Sequence, residues 1–197
     1  MRVIGLTGGI ASGKSTVLNV LKNWGFMVIE VDKTAHQIME PGQKAYQEIV
    51  EFFGPHILDP EGNIDRVLLG NIVFNDPALL QKLNQITHPR VKEFLQQRLR
   101  EIEKEQPQSV VVLEVPLLFE AGMDKLCDQV LVVWVDQETQ IKRLMKREGM
   151  ECGQACKRIM SQMDLNKKAK LADFVIDNTR SPEITAEIVK KYFSDFS

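Results

Sequence analysis

The stretch "LTGGIASGKST", residues 6–16, decides the fold. It follows a short apolar run, RVIGLT at 2–7, that reads as a buried strand, and it leads into KSTVLNVLKNW at 14–24. There Val17, Leu18, Leu21 and Trp24 recur at helical spacing, and Gly25 closes the helix. A strand, a glycine-rich turn and a helix with the pattern Gly8-x-x-x-x-Gly13-Lys14-Ser15 form a phosphate-binding loop. Glycines permit unusual dihedrals and let backbone amides turn inward on an anion. The N–H groups along Gly8, Gly9, Ile10, Ala11, Ser12 and Gly13 are the expected cradle. The helix start adds its own N–H groups and the positive end of its dipole. Lys14 is expected to reach the β- and γ-phosphates, Ser15 to ligate magnesium, and Thr16 to reach the α-phosphate. The alternative, a glycine-rich turn with a solvated lysine, does not need a strand before it and a helix after it.

Four more apolar segments read as strands: FMVIEV (26–31), SVVVLEV (109–115), DQVLVVWV (128–135) and ADFVID (172–177). Strands that are apolar on both faces and alternate with helices predict an α/β fold, a five-stranded parallel sheet covered on both sides. The block at 42–108 interrupts that alternation and reads as all-helical, with Pro89 expected to end one helix and start the next. The expected organisation is a core at 1–41 and 109–197 with a helical insertion at 42–108.

Bulk properties narrow the function classes. The chain has 197 residues, 44% hydrophobic and 26% charged, with 25 basic and 27 acidic side chains and a net charge of −2. That length buries a core without metal or disulfide staples. The charge balance gives no reason to expect nucleic acid or an anionic membrane as partner. Cys127, Cys152 and Cys156 lack metal or redox spacing and read as incidental thiols of a reducing compartment. No apolar run approaches a membrane span. A soluble cytoplasmic protein is expected, with a monomer as the default state.

In an open parallel sheet the ligand lies beyond the carboxyl ends of the strands, so acidic residues there are candidates. Asp32 directly follows FMVIEV, and Glu30 stands two residues before it on the same face. Phosphoryl transfer to an alcohol wants a carboxylate to orient the hydroxyl and take its proton. Asp32 suits that role, and it equally suits the N-cap of the helix DKTAHQIM. Glu114, inside an apolar strand, needs a partner for its charge; it acts on the metal or Lys14 through water, or it forms a structural ion pair. ETQIKRLMKRE (138–148) sets Arg143 and Arg147 four apart on one helical face. That face is either a flap that closes over a triphosphate or an ordinary solvated surface. A GTPase reading fails, since NKKA (166–169) lacks the guanine-reading aspartate and DPEG (59–62) reads as a polar turn. His36, His56 and His88 are too scattered for a metal site, and His88 before Pro89 reads on its own as a helix-junction hydrogen bonder.

Taken together, GLTGGIASGKSTV, VIEVDKTAHQIM, ITHPRV, VPLLFE, QIKRLMKR, RIMSQ and ADFVIDN, in that order over residues 4–178, resemble the dephospho-CoA kinases. The resemblance implies transfer of the ATP γ-phosphate to the ribose 3′-hydroxyl of dephospho-CoA, with ATP and Mg2+ as cofactors. It implies a helical insertion that binds the CoA moiety and a lid at 138–165. It implies Asp32 as catalytic base, Lys14 and Arg143 in catalysis, and Arg147 in the lid. For Arg66, His88 and Gln162 it implies substrate or lid contacts, and for Asn178 a place against the adenine. Two positions depart from the family pattern. Ala11 stands where a third loop glycine is usual, tolerable if its φ stays negative, and Glu30 stands where aspartate is frequent. The rivals are another small-molecule kinase on the same sheet and a P-loop switch that transfers nothing.

Overall fold

The computed structural model describes residues 1–196. Five strands, β1 (Arg2–Gly8), β2 (Met27–Glu30), β3 (Val110–Glu114), β4 (Gln129–Trp134) and β5 (Phe174–Asp177), form one sheet in the order β2-β3-β1-β4-β5. The pairings of β1 with β3 and β4, and of β4 with β5, are parallel. The strands are short and rich in Val, Ile and Leu because both faces are covered. Val111, Val112, Leu113, Leu131, Val132 and Val133 have no exposure at all. One core cluster joins Ile4 and Leu6 of β1 to Val112, Leu131, Val133 and Ile176 from the other strands. Onto it pack Val17, Leu18 and Leu21 of α1 (Lys14–Asn23) and Val189 and Phe193 of α9 (Pro182–Phe193). Each such fully buried aliphatic side chain contributes about 1.5–3 kcal/mol relative to exposure. Among the described residues, no helix is long and apolar enough to cross a membrane.

The remaining helices are α2 (Val31–Gln37), α3 (Lys44–Phe53), α4 (Arg66–Phe74), α5 (Pro77–Glu105), α6 (Gln137–Glu148), α7 (Cys152–Met160) and α8 (Leu165–Leu171). The chain divides into two compact units, one of Met1–Ile29 with the chain from Glu105 onward, the other Glu30–Lys104. The second unit thus takes in α2 as well as the helical block read from the sequence. Its own core gathers Ile49 and Phe53 of α3, Ile57, Ile64, Leu69 and Val73 with Ile86 of α5. The DPEG segment is a turn: Asp59 accepts from the Asn63 N–H at 2.8 Å, and Leu58 bridges to Ile64.

Three local readings change. Pro89 does not break a helix, because α5 runs through it. Proline removes one N–H bond, but Ile86, Val91 and Leu95 on either side are buried and hold the helix together. Asp32 is not an N-cap. The helix begins at Val31 with Glu30 in the cap position, so Asp32 sits exposed in the first turn. Ala11 adopts φ +59°, left-handed and not negative, the one such non-glycine among the described residues. The loop must reverse there to bring its amides round, and the small side chain bears the cost of about 1–2 kcal/mol.

Ala11→Gly should therefore leave stability unchanged or raise it by up to about 1 kcal/mol, since released strain offsets the gain in unfolded-chain entropy. Thermal unfolding without nucleotide checks this. A loss of about 1 kcal/mol or more would show that the left-handed alanine carries no strain.

Candidate functional site

At the centre of the sheet, β1 continues towards the β2 edge while its neighbour β4 continues towards β5. Connections that diverge from adjacent strands open a crevice at their carboxyl ends. The turn from Gly8 to Gly13 fills the end of β1 at that point.

Three observations fit this turn to an oligophosphate. The first is the absence of room for side chains. A Cβ on Gly8 would stand 2.6 Å from Ser12 Oγ and 2.7 Å from the Val133 carbonyl, and one on Gly13 (φ +86°) 2.1 Å from Asn178 Nδ2. The second is the bare head of α1. Gly13 occupies its N-cap with no side-chain cap, and no acidic residue lies in its first turn, so dipole and N–H groups are left to an anion. The third is Ser12, whose hydroxyl is fully buried with no hydrogen-bond partner among the described residues. An orphaned buried hydroxyl costs about 1–3 kcal/mol, and a phosphate oxygen would remove that cost.

Lys14 follows at the first position of α1, with Nζ 4.0 Å from Glu114 Oε1 and both side chains largely buried. Parallel pairing sets this up, since Glu114, the last residue of β3, lies opposite Leu6 near the carboxyl end of β1. Ser15, next in the helix, is exposed. Beyond β3, the segment "PLLFE" is anchored internally. Thr7 Oγ1 and Lys168 Nζ both donate to the Pro116 carbonyl, at 3.1 and 3.0 Å. Lys168, with no exposed surface, also pairs with Glu120 at 2.9 Å, and Glu120 accepts from the Met163 N–H at 3.0 Å. A buried lysine needs such partners to stay charged.

Asn178 and Arg143 meet at the same loop. The Asn178 side chain donates to the Ser12 carbonyl at 2.8 Å and accepts from Thr185 Oγ1 at 2.7 Å. It is 4% exposed. Through these two bonds the side chain holds the loop. Arg143 donates to the Asn178 carbonyl at 2.9 Å, which brings its guanidinium beside Gly13. Arg147, one turn on, is instead exposed and paired with Glu148 at 2.6 Å, which also binds Arg158. Two residues not singled out by motif reasoning, or only loosely, complete the surround: Gln140 of α6 and Gln162 after α7 both bond to Ile10. Trp134 donates to Asn166 at 2.9 Å, which gives the NKKA segment a packing role at α8. Burial pushes the Cys127 thiol up to about 12, with Asp124 and Asp128 adding to the effect, so it stays protonated.

In the helical unit, Glu30 pairs with Lys33 at 2.9 Å and Asp32 is exposed beside them. Arg66 is exposed at the first position of α4, whose N-cap Asp65 accepts from Val67 and Leu68 N–H groups. His88 is half-buried in α5, and burial lowers its pKa, so it is neutral at pH 7. Arg90 of the same ITHPRV motif is spent on Glu48 and Glu93, fastening α5 to α3.

A model of the dephospho-CoA kinase family matches residues 2–183. A dephospho-CoA kinase of Carboxydothermus hydrogenoformans is 48% identical over 94% of this chain and 89% of its own. One of Listeria innocua is 44% identical over 99% of this chain and 97% of its own. The solved dephospho-CoA kinase of Campylobacter jejuni superposes with a TM-score of 0.77 at 32% identity, covering 100% of this chain and 98% of that one. A loop shaped for an oligophosphate thus coincides with a match along nearly the whole sequence. The chain belongs to the dephospho-CoA kinase family.

Proposed function

We propose that this kinase transfers the ATP γ-phosphate to the ribose 3′-hydroxyl of dephospho-CoA with the loop Gly8–Thr16 gripping the ATP phosphates and Asp32 acting on the hydroxyl. The observation that carries the reading is the turn with no space for side chains, closed over the orphaned Ser12 hydroxyl and followed by Lys14.

Each residue then has a task set by its chemistry. The loop amides and the head of α1 hold the phosphate oxygens. Lys14, kept near Glu114, stays extended along the strand ends and offers its ammonium to the β- and γ-phosphates. Glu114 is a positioning residue for that ammonium, a reading that the 4.0 Å pair supports. Magnesium, when bound, would neutralise charge that builds on the phosphates, and Ser15 is the residue here that would hold it. Arg143, braced by the Asn178 carbonyl, supplies a cation where charge develops on transfer. Asp32 lies in the first turn of α2, directly after β2, with its side chain exposed. In the proposed reaction it orients the acceptor hydroxyl and takes its proton. Arg66 and a neutral His88 are read as contacts for the CoA moiety in the helical unit, and the segment 138–165 as the lid. The chain's near-balanced charge supports a small-molecule acceptor over a nucleic acid.

With capping removed as an alternative, Asp32→Asn becomes a clean test. Stability should shift by less than about 1 kcal/mol, because only the charge near the helix head is lost. Turnover should fall at least about a hundredfold with both substrates still bound. Retention of more than about a tenth of the parent kcat would move the base to another residue.

The two lid arginines should separate. Arg143→Ala should lower kcat by about a hundredfold, as loss of a transition-state cation does. Arg147→Ala, whose partner is Glu148 on the surface, should stay within about tenfold of the parent by the modest worth of exposed pairs. Equal losses in steady-state assays would mean that Arg147 also reaches the phosphates on closure.

A further inference from the structure

Ile10 stands at the crown of the phosphate loop, and both of its backbone polar groups are met from outside the loop. Its N–H donates to Gln162 Oε1 at 2.9 Å, and its carbonyl accepts from Gln140 Nε2 at 2.7 Å. Two primary amides from separate elements therefore grip one residue, one as acceptor and one as donor. Gln140 is only 4% exposed, and a Cβ on the neighbouring Gly9 would lie 2.5 Å from its Nε2. A glutamine that merely filled surface would not be buried against a loop so distant in the chain. The next residue is the left-handed Ala11, so the grip falls where the loop is most strained.

We infer that Gln140 and Gln162 are positioning residues that set the crown of the loop for the ATP phosphates. An unsupported crown must order its backbone when nucleotide arrives, and that ordering is subtracted from affinity. Held by two amides, it is ordered beforehand. Gln140 lies on α6 and Gln162 just after α7, so the segment read as the lid also fixes the loop it closes upon. The inference rests on the loop being the ATP site.

The test is steady-state kinetics of Gln162→Met and Gln140→Met, with each substrate varied at saturation of the other. Methionine keeps length and flexibility and removes the hydrogen bond. Each variant should raise KM for ATP about three- to tenfold, the worth of one net hydrogen bond. KM for dephospho-CoA should stay within about twofold, and the ATP-induced rise in Tm should shrink, as the linkage between binding and stability requires. Because both amides act on Ile10, the double variant should raise KM for ATP by less than the product of the single effects. Gln140 is buried, so if its variant unfolds, the half-buried Gln162 decides alone. A KM for ATP unchanged in Gln162→Met, or both KM values rising together, overturns the inference. Lys14→Ala in the same ATP titration separates the two levels. If it loses ATP while the glutamine variants bind like the parent, only the grip is wrong. If it binds ATP like the parent, the loop is not the ATP site and the inference falls with it.

Discussion

Everything in the nucleotide-binding unit follows from one steric constraint: between Gly8 and Gly13 the backbone must pass within contact distance of Val133, Ser12 and Asn178. Only a chain without side chains at those two positions can do so. The close approach places the loop at the sheet's point of divergence, aims the head of α1 at the same spot and leaves the Ser12 hydroxyl buried without a partner among the described residues. The surrounding elements compensate the cost of that shape. Asn178 at the end of β5 takes the Ser12 carbonyl, Gln140 and Gln162 take Ile10, and Arg143 leans on the Asn178 carbonyl. The carboxyl ends of β1, β3 and β5, with the helix that follows β4, therefore meet in one polar network around a strained turn. Such strain persists only where its surroundings over-determine it, and here they do.

That network also relates stability to function. The side chains that hold the loop lie on elements separated in sequence by over a hundred residues, so the site forms only when the sheet is complete. The sheet itself is held by ordinary apolar burial of Val, Ile and Leu, which neither needs nor specifies a ligand. The division is useful: the core tolerates conservative changes, whereas the loop's glycines and its three amide partners have fixed geometry. Lys168 and Glu120 extend the same logic to the PLLFE segment, where one fully buried cation ties α8 to the turn that follows β3.

Local signals were legible in the sequence and long-range ones were not. The strand–loop–helix unit, the apolar strands and the boundary at Gly25 follow from periodicity and from residue types with narrow conformational preferences. So does the polar turn at 59–62. Pro89 misled because its helix-breaking tendency is local, while the burial of Ile86, Val91 and Leu95 that overrides it is tertiary. Ala11 misled because nothing in its neighbours reports the sign of φ, which closure of the loop imposes. The bonds of Asn178 to the Ser12 carbonyl and to Thr185 were not readable from the motif ADFVIDN, since those partners reach it only in the fold. Gln140 gave no signal at all: a glutamine at a buried helix position looks like any other until its partner is seen.

The central claim is that a phosphate held in this loop passes to an alcohol of dephospho-CoA. The most direct measurement is phosphorus NMR of the products formed from ATP, magnesium and dephospho-CoA. The account predicts a new phosphomonoester on the ribose 3′-oxygen in step with ADP, and neither product from Lys14→Ala. ADP accompanied by inorganic phosphate, with dephospho-CoA recovered unchanged, would contradict it.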